Sequence, residues 1–214
     1  MEQKDKQLIV FLAGELRSKE RVRALLLQEK ADLFAADGGY NYAKDFDLPL
    51  QLVFGDFDSS DVPNFENVIA YPREKDQTDS EIALDLAIER GYKNVWFIAP
   101  FGGRLDHTLA NLALLQKAAA KGVELYLYDG ENLAFLLCKG VHRINGAYRY
   151  VSFLPTLSNT VVSLEGFKYP LKNQEIPRDS TLGISNEPIC DQPIVMVHHG
   201  AVLCICIDEN QEEI

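Results

Sequence analysis

Between residues 8 and 127 short apolar runs alternate with longer stretches of helical period, and after Asp129-Gly130 that alternation stops. Runs at 8–12, 33–36, 68–71 and 95–99 each lead into a helical pattern, at 19–30, 40–46, 79–90 and 105–121, with further runs at 50–54 and 123–128. Such a rhythm predicts a mostly parallel sheet with helices on both faces, because parallel neighbours need a crossover and a helix supplies it.

Beyond Gly130 the runs at 133–137, 148–154, 160–164, 194–198 and 202–207 are separated by Gly, Pro, Asn and Ser turns. A second, all-β unit is therefore expected to begin near residue 130. Its last two strands read as a hairpin around His199-Gly200. Leu203, Ile205 and Ile207 alternate with Cys204 and Cys206, the period of a strand with two distinct faces. The acidic stretch 208–213 reads as a solvated tail.

A length of 214 residues with 47% hydrophobic content suffices for one large or two small cores. Twenty-one basic against 32 acidic residues leave a net charge of −11, which argues against a non-specific nucleic-acid or anionic-membrane binder. A polyphosphate ligand would need added cations here. The apolar run near the N-terminus lacks the length of a signal-peptide core, and no stretch is long enough to span a bilayer. Cys138, Cys190, Cys204 and Cys206 show no Cys-x-x-Cys spacing. The expectation is a cytoplasmic protein with reduced thiols.

Four acidic motifs stand just after predicted strands or at helix starts. These are Asp37-Gly38-Gly39, Gly55-Asp56-Phe57-Asp58-Ser59, Lys75-Asp76-Gln77-Thr78-Asp79 and Gly102-Gly103-Arg104-Leu105-Asp106-His107. In open α/β sheets the ligand crevice lies at the carboxyl ends of the strands, so all four should converge there. If the chain stays extended, Asp56 and Asp58 leave on one side with Phe57 pointing into the protein. Two adjacent carboxylates repel unless a cation sits between them, and magnesium suits such a pair together with phosphate oxygens. The same pattern also suits a Gly-Asp turn with solvated acids.

Thr78 and Glu81 have the spacing of a capping box, which makes Asp79 the first residue of a helix, where the dipole favours its ionised form. Lys75 could reach a phosphate as a point charge. Gly102-Gly103 would let backbone approach a phosphate, with Arg104 as a bidentate donor. Arg104, His107 and Asn111 fall at i, i+3 and i+7, a single helix face. In the β unit, the segments 183–187 and 166–171 read as turns. His198-His199 with Cys204 and Cys206 is not a metal site, because adjacent histidines in a turn point apart.

Together with Ser185-Asn186, these motifs in this order resemble the thiamine pyrophosphokinase family across nearly the whole chain. The resemblance implies a mostly parallel α/β (Rossmann-like) catalytic domain over 1–129 that binds ATP and magnesium, and a β-sandwich over 130–214 that binds thiamine. It implies transfer of pyrophosphate from ATP to thiamine, giving thiamine diphosphate and AMP, in a homodimer with active sites between subunits. By the same resemblance Asp56, Asp58 and Asp79 hold the metal, and Asp76, Asp79, Arg104 and Asp106 are catalytic. Asp37, Gly38, Lys75, Gly103, Arg104, His107 and Asn111 bind ATP, and Ser185, Asn186 and Tyr169 meet thiamine. Tyr169 stands where some members carry tryptophan. Two other readings stay open on the motifs alone: another magnesium-dependent nucleotide-using transferase, and a non-catalytic thiamine or nucleotide sensor.

Overall fold

The computed structural model describes residues 7–28, 30–57, 66–72 and 76–208, and the chain divides into two compact units, Met1–Gly130 and Glu131–Ile214. Asp58, Ser59 and Lys75 lie outside the described residues.

In the first unit the elements run β1 (Gln7–Phe11), α1 (Lys19–Gln28), β2 (Asp32–Ala36), α2 (Gly39–Asp45), β3 (Leu52–Gly55), β4 (Val68–Ala70), α3 (Asp79–Glu89), β5 (Asn94–Ile98), α4 (Leu105–Ala120) and β6 (Glu124–Tyr128). Every pairing is parallel, in the order β4-β3-β2-β1-β5-β6. The alternation of strand and helix in the sequence is thus the alternation in the fold.

Both faces of this sheet are covered. Ile9 and Phe11 of β1 with Leu33 and Ala35 of β2 pack on Val22 of α1, on Ala43 of α2 and on Phe46 at its C-terminal cap. Phe34 points the other way, where its ring meets Tyr92 edge-on at 6.0 Å and the Arg90 guanidinium at 5.1 Å. A strand buried on both sides has no polar face to show, which is why β1 reads as an unbroken apolar run.

The second unit contains β7 (Asn132–Leu137), β8 (Gly140–Arg143), β9 (Tyr150–Pro155), β10 (Val161–Glu165), β11 (Leu171–Glu175), β12 (Ile194–His199) and β13 (Val202–Ile207). All its pairings are antiparallel: β13 lies between β7 and β9, while β12 lies between β10 and β8 with β11 beyond β10. The predicted hairpin of the last two strands is therefore wrong. Only Gly200 and Ala201 separate β12 from β13, yet each strand pairs with different neighbours, and Gly200 at φ 79° carries the chain from one sheet to the other. Thr160 crowds Gly200, and any Cβ there would come within 2.5 Å of its hydroxyl.

Strands β8 and β11 have no counterpart in the apolar pattern, because both are edge strands with mostly exposed residues. The two faces expected of β13 are present. Cys204 and Cys206 are fully buried with sulfurs 3.9 Å apart, and burial pushes the Cys204 thiol well above its ordinary value, so both behave as packing residues. His198 and His199 point apart as argued, one to the Ser163 hydroxyl and the other to the Asn159 carbonyl.

The close approach of α2 to β1 depends on one residue. A Cβ on Gly39 would lie 2.1 Å from the Phe11 carbonyl oxygen, a backbone atom of the central strand that cannot yield. Gly39→Ala is expected to cost at least about 2 kcal/mol of stability, read as a lowered denaturant midpoint of the first unit; an unchanged midpoint would show that α2 can shift without disturbing β1.

Candidate active site

Strand order reverses around β1, from which the chain moves outward to β4 and then returns to β5 on the other side. At such a switch the connections leave in opposite directions and a crevice opens between them. The cleft here has a volume of about 740 Å³, and its walls come from the loops after β1, β2, β3 and β5 and from the starts of α3 and α4.

The loops after β1 and β5 are seamed together. Leu12 and Gly14 donate to Ile98 and Ala99 carbonyls at 2.9 and 3.0 Å, and the Glu15 amide donates to Phe101 at 2.6 Å, which extends the β1–β5 pairing past the strand ends. Gly14 is required there, since a Cβ would sit 2.2 Å from the Phe101 carbonyl oxygen. Gly103 donates its amide to the Glu15 carboxylate at 3.3 Å.

Three non-glycine residues follow the strand ends in the left-handed region: Asp37 at φ 43°, Phe57 at φ 51° and Ala99 at φ 55°. Each costs on the order of 1–3 kcal/mol and persists only because its surroundings hold it. Asp37 is held by its amide's bond to the Phe54 carbonyl at 2.7 Å and by close contact with Gly55, where a Cβ would lie 3.1 Å from Asp37 Cα. At Phe57 the backbone does not stay extended, so the argument that Asp56 and Asp58 leave on one side through an extended chain fails. Phe57 itself is buried, as the pattern required. The left-handed turn lets its ring reach the core while Asp56 remains at the cleft.

Of the residues singled out in the sequence, Asp37, Asp56, Asp79, Gly103, Arg104, His107 and Asn111 line this one cleft. Thr78 caps α3 by accepting from the Glu81 amide at 3.2 Å. The reciprocal half of the capping box is absent, because the Glu81 carboxylate accepts from Lys117 of α4 instead, at 2.9 Å. Asp76 is exposed and Gly38 caps α2; neither lines the cleft.

Arg104 does not share a helix face with His107 and Asn111. It precedes the first helical residue in an extended conformation at φ −95°, ψ 117°, and reaches the cleft from the loop. Its guanidinium donates through two nitrogens to Asp106, one of them at 3.1 Å, and the His107 amide donates to the same carboxylate at 3.0 Å. The Arg104 hydrogen bond is the main cause holding the Asp106 carboxyl down to about 2. Asp106 thus faces Arg104 and not the cleft. Asn111 is buried, with its amide engaged by Ser80 and by the Pro100 carbonyl.

Glu15, Gln77, Thr78 and Ser80 also line the cleft and were missed as site residues. For Glu15 the signal was in the sequence, since Gly14-Glu15 follows an apolar run just as the four chosen motifs do. Ser80 carried none, as a lone serine in a helix start has many uses.

In the second unit a separate arrangement joins two segments that had read as independent turns. The Asn186 side chain, 2% exposed, accepts from the Tyr169 and Glu187 amides at 3.0 Å each and donates to the Tyr169 carbonyl at 2.8 Å. Tyr169 is thereby pinned through its backbone while its ring stands 57% exposed, with the Lys168 ammonium 5.6 Å from the ring centre. Ser185 is exposed, at φ 54°, and its amide donates to the Ser152 hydroxyl at 2.9 Å.

Comparison with known proteins supplies two family matches on this chain: the thiamin pyrophosphokinase catalytic domain over residues 24–127 and the thiamin pyrophosphokinase vitamin B1 binding domain over residues 141–202. The thiamine pyrophosphokinase of Bacillus subtilis is 38% identical over 168 residues, 74% of this chain and 78% of that protein. A crystal structure of thiamine pyrophosphokinase from Bacillus subtilis superposes with a TM-score of 0.84 at 29% identity, covering 96% of this chain and all of that one. A thiamin pyrophosphokinase crystal structure from Geobacillus thermodenitrificans gives a TM-score of 0.80 at 31% identity, covering 96% and 99%.

Two measurements test the geometry directly. Asn186→Ala strips three partners from the Tyr169 and Glu187 backbone, and the second unit is expected to lose about 2 kcal/mol of stability in a denaturant titration; no loss would mean water replaces the amide fully. For Asp106 the pKa lies below its ordinary 3.8, so the pair with Arg104 is complete above that value and is lost only as pH falls through about 2. A carboxyl carbon titration by NMR should give a midpoint near 2, whereas a midpoint near 4 would mean that Arg104 is not bound to it in solution.

Proposed function

The chain belongs to the thiamin pyrophosphokinase family, and from that premise we propose that it transfers pyrophosphate from ATP to the hydroxyethyl oxygen of thiamine, releasing AMP and thiamine diphosphate. The observation that carries this reading is the convergence of Asp37, Asp56 and Asp79 with Gly102, Gly103 and Arg104 in one cleft, in a chain that matches both family domains. The first unit is the Rossmann-like catalytic domain and the second the thiamine-binding β-sandwich.

Pyrophosphoryl transfer asks for positioning and charge neutralisation more than for covalent help. Asp56, Asp58 and Asp79 hold magnesium. The donor chemistry supports this: the cleft offers hard carboxylate oxygens, and magnesium takes one or two of them, with water and phosphate oxygens completing its shell. Among the described residues no three His, Cys, Asp or Glu side chains form a metal cage, and magnesium needs none. When bound, the ion neutralises the triphosphate of ATP in a protein of net charge −11.

Asp37, Lys75, Gly103, Arg104 and His107 take ATP, Gly38 acts only through the start of α2, and Asn111 is buried in the cleft wall. Of the catalytic set, Asp79 belongs to the carboxylate side of the cleft and the exposed Asp76 stands outside it, while Arg104 stabilises developing negative charge and Asp106 orients it. Ser185, Asn186 and Tyr169 receive thiamine; the Tyr169 ring offers an aromatic face to its cation, and Asn186 acts by holding the Tyr169 backbone.

A homodimer with sites between subunits is part of this reading. It is supported by large apolar side chains left in solvent, among them Leu105 and Leu109 one turn apart on α4, 72% and 57% exposed. The four cysteines are free thiols, which supports the cytoplasmic assignment.

Protein supplied with ATP, magnesium and thiamine should form AMP and thiamine diphosphate in equal amounts. Formation of ADP with thiamine monophosphate, or binding without turnover, would overturn the assignment. Asp56→Asn should lower turnover by about 100-fold while the melting temperature stays near that of the parent; undiminished turnover at limiting magnesium would make Asp56 a solvated turn residue.

A further inference from the structure

Beneath the cleft runs a chain of four hydrogen bonds whose direction is set at one end. The Pro100 carbonyl can only accept, so the Asn111 amide must face it with its NH2 group, at 2.6 Å. That turns the Asn111 oxygen to Ser80, whose hydroxyl has one proton and must donate it there, at 2.5 Å. Ser80 is then left to accept from the Thr78 hydroxyl, at 3.1 Å, and Thr78 accepts in turn from the Glu81 amide at 3.2 Å. Each member has the role that its neighbour leaves it. Asn111 and Ser80 are only 6% and 7% exposed, so the central bond is largely shielded from water although both residues border the cleft.

The two ends of this chain lie in different parts of the site. One end is the cap of α3, whose first residue is Asp79; the other is Pro100, two residues before Gly102-Gly103-Arg104. We propose that Ser80 and Asn111 are positioning residues that lock the carboxylate at the start of α3 to the phosphate-side loop after β5, and that Asn111 acts through this link without touching the nucleotide. The proposal rests on the reading of the cleft given above. A buried link of this kind converts two independently moving loops into one rigid frame, and a misplacement of about 1 Å in such a frame costs on the order of 100-fold in rate.

Hydrogen–deuterium exchange on the whole protein, without substrates, tests the link independently of activity. Ser80→Ala, which removes only the hydroxyl, should speed exchange at least fivefold in the loop 100–106. Asn111→Ala should do the same at 78–84, on the far side of the missing bond. Exchange that rises only in the mutated segment overturns the proposal. In the AMP-forming assay, each variant should lose about tenfold in kcat with KM for ATP within twofold, and the double variant should be no worse than the poorer single one. Additive losses, or a KM rise confined to Asn111→Ala, would make Asn111 a direct ATP contact instead. Asn111→Asp keeps the acceptor for Ser80 but cannot donate to Pro100, and should behave as Asn111→Ala does. Should the parent form no AMP, the proposed activity fails while exchange still decides the link.

Discussion

The first unit depends on the parallel pairing of β1 with β2 on one side and β5 on the other. Leu8, Ile9, Val10 and Phe11 are wholly removed from water, so side chains on both faces of this strand must fit closely packed layers. From it the chain must travel outward twice, in opposite directions, and the place where the two journeys part is the cleft. The pairing even continues beyond the strands, through Gly14 and Glu15 onto Ala99 and Phe101. A site built on the ends of the most buried strand inherits that strand's rigidity.

Around this opening the backbone is held in conformations it would not choose. Asp37, Phe57 and Ala99 are left-handed, and the bonds that hold Asp37 and Ala99 come from neighbouring strands rather than from local sequence. The charges are arranged with similar economy. Carboxylates come from β2, β3 and α3, while the glycines and Arg104 arrive from β5, and Asp106 keeps the guanidinium in a set orientation. On the outer side Lys117 of α4 reaches both Glu81 and Asp85 of α3, at 2.9 and 2.6 Å, which ties together from outside the helices that Ser80 and Asn111 join from within.

The second unit solves a different problem with the same device. An exposed tyrosine ring is a poor anchor unless its backbone is fixed, and Asn186 fixes it with a buried amide that uses both its donor and its acceptor. Within the Ser-Asn pair that resembled a ligand contact, Asn186 is thus a structural residue, and Ser185 is the one left at the surface.

The sequence by itself determined the order and type of the elements in the first unit, the change to all-β structure near residue 130 and the convergence of acidic motifs at strand ends. It could do so because burial on both faces and helical periodicity are local patterns, written in consecutive residues. The tertiary structure alone decided that β12 and β13 belong to different sheets, that Phe57 turns left-handed, that Arg104 stands outside the helix it precedes, and that Asn186 serves Tyr169. Edge strands β8 and β11 were invisible for want of an apolar face. The sheet change between β12 and β13 and the service of Asn186 to Tyr169 depend on hydrogen bonds between residues far apart in the chain, and no short window of sequence contains both partners.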